Sequence, residues 1–108
     1  MIRFEEIEKT ILTNFYGGNG NIEAKTFSDD LNKITKSVFL PGSSSGLHCH
    51  ETSSEIIYVL SGKGKAIVDD KVEILEPGVC HYCKKGHSHS VINDGSENLV
   101  LFCVVTMQ

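Results

Sequence analysis

The pattern of apolar and polar positions predicts short strands along most of the chain. From Ile22 onward, runs rich in β-branched and aromatic residues are separated by glycine, asparagine, aspartate and serine, which favour turns. Strands at this short and regular spacing are typical of a β-sandwich or β-barrel. The predicted strands cover residues 23–27, 33–40, 46–50, 55–60, 64–68, 71–75, 79–83, 89–92 and 98–105.

Turns and one weak helix complete the predicted elements. Hairpins are expected to turn at residues 61–64 and at residues 69–70, where glycine or aspartate can adopt the required backbone angles. Residues 3–13 carry apolar side chains at helical spacing with acids near the start, which predicts a short helix without a clear cap. Residues 17–21 are glycine and asparagine only, so we expect a loop between this helix and the strands.

Composition and charge narrow the class of protein. A chain of 108 residues with 40% hydrophobic and 22% charged residues is long enough for one globular domain and too short for two. A net charge of −4 offers no basic surface for nucleic acid or an anionic membrane, so neither is an expected partner. No segment approaches the ~20 apolar residues that span a bilayer.

The first ten residues carry acids where a signal peptide would be apolar, so we expect the protein in the cytoplasm. In that reducing compartment the four cysteines are expected to be free thiols. Cys80 and Cys83 stand three apart on a predicted strand and so face opposite sides, which disfavours chelation, and we expect buried free thiols there. Cys49 and Cys103 are expected in the core.

His48 and His50 are the first candidate for chemistry. Side chains two apart on a strand project from the same face, so both imidazoles are expected to point one way. A turn at residues 52–54 would fold Glu55 back towards them. Two imidazoles and a carboxylate can hold a transition metal and leave open positions, although two histidines at this spacing are also common as plain polar residues at strand ends.

The histidine pair His48 and His50 is part of a longer sequence pattern. The chain matches two cupin motifs, G-x5-H-x-H-x4-E-x6-G at every fixed position and P-x-G-x2-H-x3-N at three of four, with Lys84 in place of the proline. The chain therefore resembles a small single-domain cupin, over roughly residues 33–105. The matching positions are Gly42, His48, His50, Glu55 and Gly62 in the first motif and Gly86, His89 and Asn93 in the second.

The resemblance implies an all-β fold, an antiparallel double-stranded β-helix or jelly-roll cupin barrel with a short amino-terminal extension. It implies one domain over residues 1–108, with a barrel core at about 22–106, the first motif at 42–62 and the second at 84–93. It also implies one divalent transition metal: iron, manganese, nickel, copper or zinc. The implied metal ligands are His48, His50, Glu55 and His89, and Asn93 is expected to shape a turn instead.

Other residues are expected around the metal. If Glu55 faces inward, Ile57 and Val59 do so too, and Tyr82 and Phe102 are further cavity-lining candidates. An apolar cavity beside a metal favours a small organic ligand. His87 and Glu51 are the weak candidates for a general base, because each lies close in sequence to a ligand histidine, although a solvated loop histidine is the plainer interpretation of His87.

Three functions follow from this picture. The first is metal-dependent chemistry on a small oxygen-bearing molecule, of the dioxygenase or isomerase type. The second is a non-catalytic small-molecule binding or sensing module, and the third a scaffold that the metal stiffens. Small cupins resemble one another in forming homodimers, and the apolar strand at residues 99–105 needs either cover or a partner, so we expect a homodimer.

Overall fold

The computed structural model describes residues 1–108, which form two packed antiparallel sheets. The six-stranded sheet has the order β1-β2-β3-β10-β5-β8 and the four-stranded sheet the order β4-β9-β6-β7. This is the predicted all-β jelly-roll class, built from two sheets that are not joined into one closed barrel. The strands are β1 Thr10–Thr13, β2 Asn21–Ser28, β3 Asn32–Phe39, β4 His48–Cys49, β5 Ser53–Ser61, β6 Gly64–Val68, β7 Lys71–Leu75, β8 Cys80–Cys83, β9 Ser88–Ile92 and β10 Leu99–Met107.

The core lies between the inner faces of the two sheets. On β10, Leu99, Leu101 and Cys103 are buried, and on β5 the alternating residues Ile57 and Val59 are buried. Alternation at every second residue places each of these side chains on the same side of its strand. The apolar pattern therefore sets which face of each strand meets the opposite sheet.

The predicted amino-terminal helix is wrong. Residues Phe4–Glu6 form a single 3-10 turn whose first residues receive no side-chain cap. Residues Thr10–Thr13 form β1 and pair with β2 instead. The run Thr-Ile-Leu-Thr is rich in β-branched residues, and pairing with β2 outweighs a short helical pattern that has no cap.

Only one of the two predicted hairpins is present. β6 and β7 pair around Asp69 and Asp70, which both have positive φ angles of 50° and 64°, as a two-residue type I′ turn requires. The turn at residues 61–64 is different, because β5 and β6 belong to different sheets. At that turn the chain crosses from one layer of the sandwich to the other.

The carboxyl-terminal strand needs no partner along its edges. β10 lies in the middle of the six-stranded sheet, between β3 and β5, and pairs with both. Of the two expected alternatives, cover or a partner, the structure therefore supplies cover by neighbouring strands. No helix in the protein has the length and apolar character to cross a membrane.

Candidate metal centre

Four side chains from both sheets converge at one point of the interior. His48 on β4 lies opposite His89 on β9 in the strand register. His50 follows β4 directly, and Glu55 on β5 reaches across from the six-stranded sheet. One nitrogen or oxygen atom from each residue lies within 4.8 Å of all the others. The structure thus brings together the whole ligand set that the sequence predicts.

The distances suit a shared metal ion. His89 Nε2 lies 3.0 Å from His50 Nε2, 3.2 Å from His48 Nε2 and 2.9 Å from Glu55 Oε1. Ligand atoms about 2.1 Å from a metal and at right angles to one another are about 3 Å apart. Three imidazole nitrogens and one carboxylate oxygen are a donor set that suits iron, manganese, nickel, copper or zinc. The site therefore fits one such ion.

Backbone contacts fix the ring of His48. Its Nδ1 lies 2.7 Å from the Gly46 carbonyl oxygen. A carbonyl only accepts, so Nδ1 carries the proton and Nε2 presents a lone pair to the cluster. Gly46 itself lies against the turn at Phe15–Gly17, and its N–H donates to the Phe15 carbonyl at 2.8 Å. This turn therefore supports the strand end that holds His48.

His50 is held by the turn that precedes β9. Its N–H donates to the His87 carbonyl at 3.0 Å, and its own carbonyl accepts from Gly86 at 2.7 Å. Gly86 has a φ of +87°, which suits the third residue of a type II turn from Lys84 to His87. The turn thus forms with lysine at the motif's proline position. The His50 ring adds a hydrogen bond between Nδ1 and the Ser53 hydroxyl at 3.0 Å.

The electrostatics of the cluster favour metal binding. Burial by itself would raise the pKa of Glu55, but hydrogen bonds and charge interactions with His50 and His89 outweigh it and lower that pKa to about 2. Burial lowers the pKa of His48, against the opposing effect of its bond to the Gly46 carbonyl. A carboxylate that stays charged and an imidazole that stays neutral are the forms that bind metals.

A cavity of about 710 Å³ opens beside the cluster and includes His48, His50, Glu55 and His89 in its wall. Of the 26 residues in the whole wall, 13 are hydrophobic, and hydroxyl side chains from β2 and β3 are interspersed among them. The cavity that was expected to be apolar therefore also carries polar groups. A pocket of this size and character suits a small polar organic molecule.

The structure places one of the four predicted cavity-lining residues in the cavity wall. Ile57 lines the cavity, whereas Val59 is buried in the core away from it. Tyr82 is 49% exposed on the outer face of β8. Phe102 likewise lies outside the cavity wall, with its ring against Phe4 at 6.2 Å between centroids. Tyr82 and Phe102 alternate with buried neighbours and so point outwards.

The two weak candidates for a general base lie in different places. His87 comes just before β9 and hydrogen-bonds through Nδ1 to Asp69 Oδ2 at 2.6 Å, with 43% of its side chain exposed. It is absent from the cavity wall, as the plainer interpretation holds. Glu51 is exposed and contributes to the wall beside His50. Asn93 bonds backbone groups of Phe39, Glu97 and Gly95 and takes no part in the cluster.

The cysteines also differ from expectation in part. All four are free, and Cys83 and Cys103 are buried. Burial raises the pKa of Cys83 to about 11 and raises that of Cys103 further. Cys49 and Cys80 are exposed, so the expectation that they are buried is wrong. β4 has only two residues and lies at the edge of its sheet, which leaves the outer side of Cys49 uncovered.

Sequence reasoning missed Tyr16, which covers the candidate ligand His48. Its ring stacks on the ring of His48, with centroids 4.1 Å apart and an interplanar angle of 14°. Tyr16 has a φ of 52°, a left-handed conformation that is unusual for a tyrosine. No local pattern in the sequence signals this contact, because Tyr16 and His48 belong to separate segments. The side chain stands at the cavity wall and is 59% exposed.

His81 is the second residue that was missed. It is fully buried on β8, and its Nε2 lies 2.9 Å from His89 Nδ1. Its Nδ1 lies 2.6 Å from Oε1 of Glu73 on β7. The alternation of β8 was the available signal, but Cys-His-Tyr-Cys has no clear apolar face, so the sequence left the inward side undecided.

Two antiparallel sheets with three histidines and one glutamate converging between them define a cupin-type barrel with a candidate metal site. Residues 36–105 match the family model described as Cupin domain, and the chain belongs to that family. An oxalate-binding protein from Thermotoga maritima is 32% identical over 113 residues, covering 99% of this chain and 93% of that protein.

Solved structures agree on the fold. A crystal structure of a predicted oxalate decarboxylase from Thermotoga maritima matches with a TM-score of 0.93 at 29% identity, covering 100% of this chain and 99% of that chain. An RmlC-like cupin from Shewanella frigidimarina matches with a TM-score of 0.83 at 16% identity, covering 100% and 90%. The second likeness shows the fold alone.

Proposed function

We propose that the protein binds a small organic anion of the oxalate class at a single divalent transition metal. The observation that carries this proposal is the convergence of four donor atoms in the wall of a cavity. His48, His50, Glu55 and His89 would hold the ion. Four protein ligands leave positions open for ligand oxygens, and the bound metal would act as a Lewis acid towards them.

The ligand class is supported by the relatives and by the cavity. The Thermotoga maritima relative is named an oxalate-binding protein, and it aligns with nearly the whole chain. Two adjacent carboxylates can occupy two open metal positions at once. Thr35, Ser37 and Ser45 supply polar groups in the cavity wall, and Lys33 is its one lysine or arginine. A small anion would find both a cation and hydrogen-bond donors there.

The first test is metal content. Untagged protein purified without chelators should contain about one equivalent of iron, manganese, nickel, copper or zinc, either as isolated or after reconstitution. The His48→Ala variant, which removes one ligand and keeps the other three, serves as the control for adventitious binding. Equal metal in both proteins, or none in either after reconstitution, would contradict the proposed site.

The second test is ligand binding to the metal-loaded protein by calorimetry. Oxalate should bind, and acetate, which has one carboxylate and cannot span two positions as oxalate does, should bind at least about tenfold more weakly. Removing the metal should abolish oxalate binding. If metal-loaded protein binds neither anion, the oxalate class is wrong, although the metal site itself stands on the first test.

Turnover of the bound molecule is the second candidate function. It is favoured by Glu51, an exposed carboxylate in the cavity wall that is not a proposed ligand. Oxalate itself has no isomer, so dioxygenase or isomerase chemistry would act on a larger oxygen-bearing anion at the metal, and it would need such a group to move a proton. Glu51→Gln should then abolish product formation and retain oxalate affinity. Absence of any product with the wild-type protein would favour the non-catalytic binding module.

We also propose a homodimer, through the outer face of β5 and β8. Ile56, Tyr58 and Leu60 form a row of exposed apolar side chains on β5, and Tyr82 lies opposite Ile56 in the register. Contiguous exposed apolar surface of this kind marks protein contacts, and a second copy would cover it with the same surface. Light scattering should give twice 11.9 kDa. Tyr82→Glu should give a monomer, whereas Val72→Glu on β7 should not.

We also propose that the protein works in the cytoplasm, where the exposed thiols of Cys49 and Cys80 would stay reduced.

A further inference from the structure

Two side chains, His81 and Glu73, connect the proposed ligand His89 to the protein surface through hydrogen bonds. His89 Nδ1 lies 2.9 Å from His81 Nε2, and His81 Nδ1 lies 2.6 Å from Glu73 Oε1. Both histidines are fully buried, and their rings are stacked with centroids 5.1 Å apart at an angle of 10°. The Glu73 side chain is 46% exposed, so the chain ends at solvent on the side of β7.

Metal binding at His89 Nε2 would fix the direction of each hydrogen bond, because a ligating nitrogen is unprotonated and the proton of His89 then lies on Nδ1. His81 Nε2 would accept that Nδ1–H. A carboxylate only accepts, so His81 Nδ1 would donate its own proton to Glu73. The bare nitrogen of His89 is then Nε2. That atom is the one that faces His48, His50 and Glu55.

We propose that Glu73 and His81 are positioning residues that hold His89 in its metal-binding tautomer and make its Nε2 a stronger donor. This inference deepens the proposed function and rests on the metal site described there. A hydrogen bond from a ligand histidine to a negative group orients the ring and raises its basicity. Here the negative charge sits one residue further out, on Glu73, and acts through the buried ring of His81.

The structure also excludes two simpler roles for these residues. Neither Glu73 nor His81 lines the cavity, so neither contacts a bound ligand. His81 does not belong to the convergent cluster, since its Nε2 faces the far nitrogen of His89 and not the ligand atoms. An effect on metal binding therefore has to pass through His89.

The test compares Glu73→Gln with Glu76→Gln. Both variants remove one negative charge from an exposed position close to β7, but only the first lies in the chain. Glutamine at position 73 keeps an acceptor of similar shape and loses the charge. Cobalt affinity, measured by competition with a chelator, should fall about tenfold or more in Glu73→Gln. It should stay within about twofold of wild type in Glu76→Gln, as expected for an uncoupled surface charge.

A second measurement reports the tautomers of the zinc-loaded protein. In wild-type protein at pH 8, imidazole nitrogen NMR should show His81 protonated at Nδ1 and bare at Nε2, and His89 protonated at Nδ1. In Glu73→Gln, His81 should shift towards a mixture of tautomers. A purely structural role for Glu73 would leave this spectrum unchanged.

The outcomes separate this inference from the metal site. If wild-type protein binds cobalt and Glu73→Gln binds it equally well with unchanged tautomers, the role of the chain is refuted and the metal site stands. If wild-type protein binds no cobalt, the metal site fails and the tuning role fails with it. A His81 protonated at Nε2 in zinc-loaded wild-type protein would refute the direction of the chain.

Discussion

A methyl group at Gly46 should damage both the fold and the site. An added Cβ would lie 1.9 Å from the Tyr16 carbonyl oxygen, 2.7 Å from its carbon and 3.0 Å from the Gly18 nitrogen. All three are backbone atoms, so no side-chain rotation relieves the contact. The two segments would have to separate by about 1 Å or more to reach an ordinary contact distance.

Separation of the segments around Gly46 and Tyr16 would break two hydrogen bonds. The Gly46 N–H donates to Phe15, and the Gly46 carbonyl accepts from His48 Nδ1 at 2.7 Å. Overpacking costs about 1–3 kcal/mol and each lost hydrogen bond about 1 kcal/mol. We therefore expect Gly46→Ala to lower the free energy of unfolding by about 3–5 kcal/mol. Because His48 loses its anchor, we also expect at least about tenfold weaker metal binding.

Urea denaturation and cobalt competition would measure these two effects. Gly95→Ala is the matched control, because an added Cβ there meets its nearest atoms at 3.5 Å, an ordinary contact. The control should change stability by less than about 1 kcal/mol. The supporting role of the turn at Phe15–Gly17 is refuted if the free energy of unfolding of Gly46→Ala lies within about 0.5 kcal/mol of the wild-type value and cobalt affinity is unchanged.

Three further results are expected. Burial raises the pKa of Cys83 to about 11 and that of Cys103 higher still, so few thiolates form there at pH 8. A thiol reagent should therefore modify the exposed Cys49 and Cys80 first, as followed by mass spectrometry. Equal rates at all four cysteines would contradict this. Burial holds the pKa of His48 below its ordinary 6.5, so the ring stays neutral to lower pH. The absorption of bound cobalt should therefore persist below pH 6.5. Release of cobalt with a midpoint above pH 7 would contradict this expectation. Asn93→Ala removes three hydrogen bonds in a fully buried position and should cost about 2–4 kcal/mol in urea denaturation, whereas a cost below about 1 kcal/mol would show that the turn is held by other contacts.

The sequence was most informative where spacing and strand geometry act together. His48 and His50 stand two apart, so strand geometry predicts that both point one way. The expected turn at residues 52–54 into an antiparallel pair is wrong, because β5 begins at Ser53 and Glu55 reaches the histidines from the other sheet. His89 is different, because its approach to His48 depends on the pairing of β4 with β9 across forty residues of chain. Only the second motif of the family indicated that contact.

The sequence was least informative about facing and about long-range contacts. Tyr82 and Phe102 are large and aromatic, which made them plausible inside the cavity, but the sheet register turns both outwards. The segment at residues 3–13 has a helical pattern too short to resist pairing with β2. His81 received its role from Glu73 and His89, two partners on other strands, which no local pattern encodes.

The proposed ligands come from both layers of the sandwich: Glu55 from the six-stranded sheet, His48 and His89 from the four-stranded one. A bound ion would therefore join two layers that are otherwise linked at this end by side-chain packing and by the hydrogen bonds of His81 to His89 and Glu73. Separation of the layers there would require release of the ion, so the free energy of local opening would rise with the concentration of free metal. Amide hydrogen exchange in β4 and β9 would then slow as metal is added. The cavity mouth would open less often at a higher concentration of free metal.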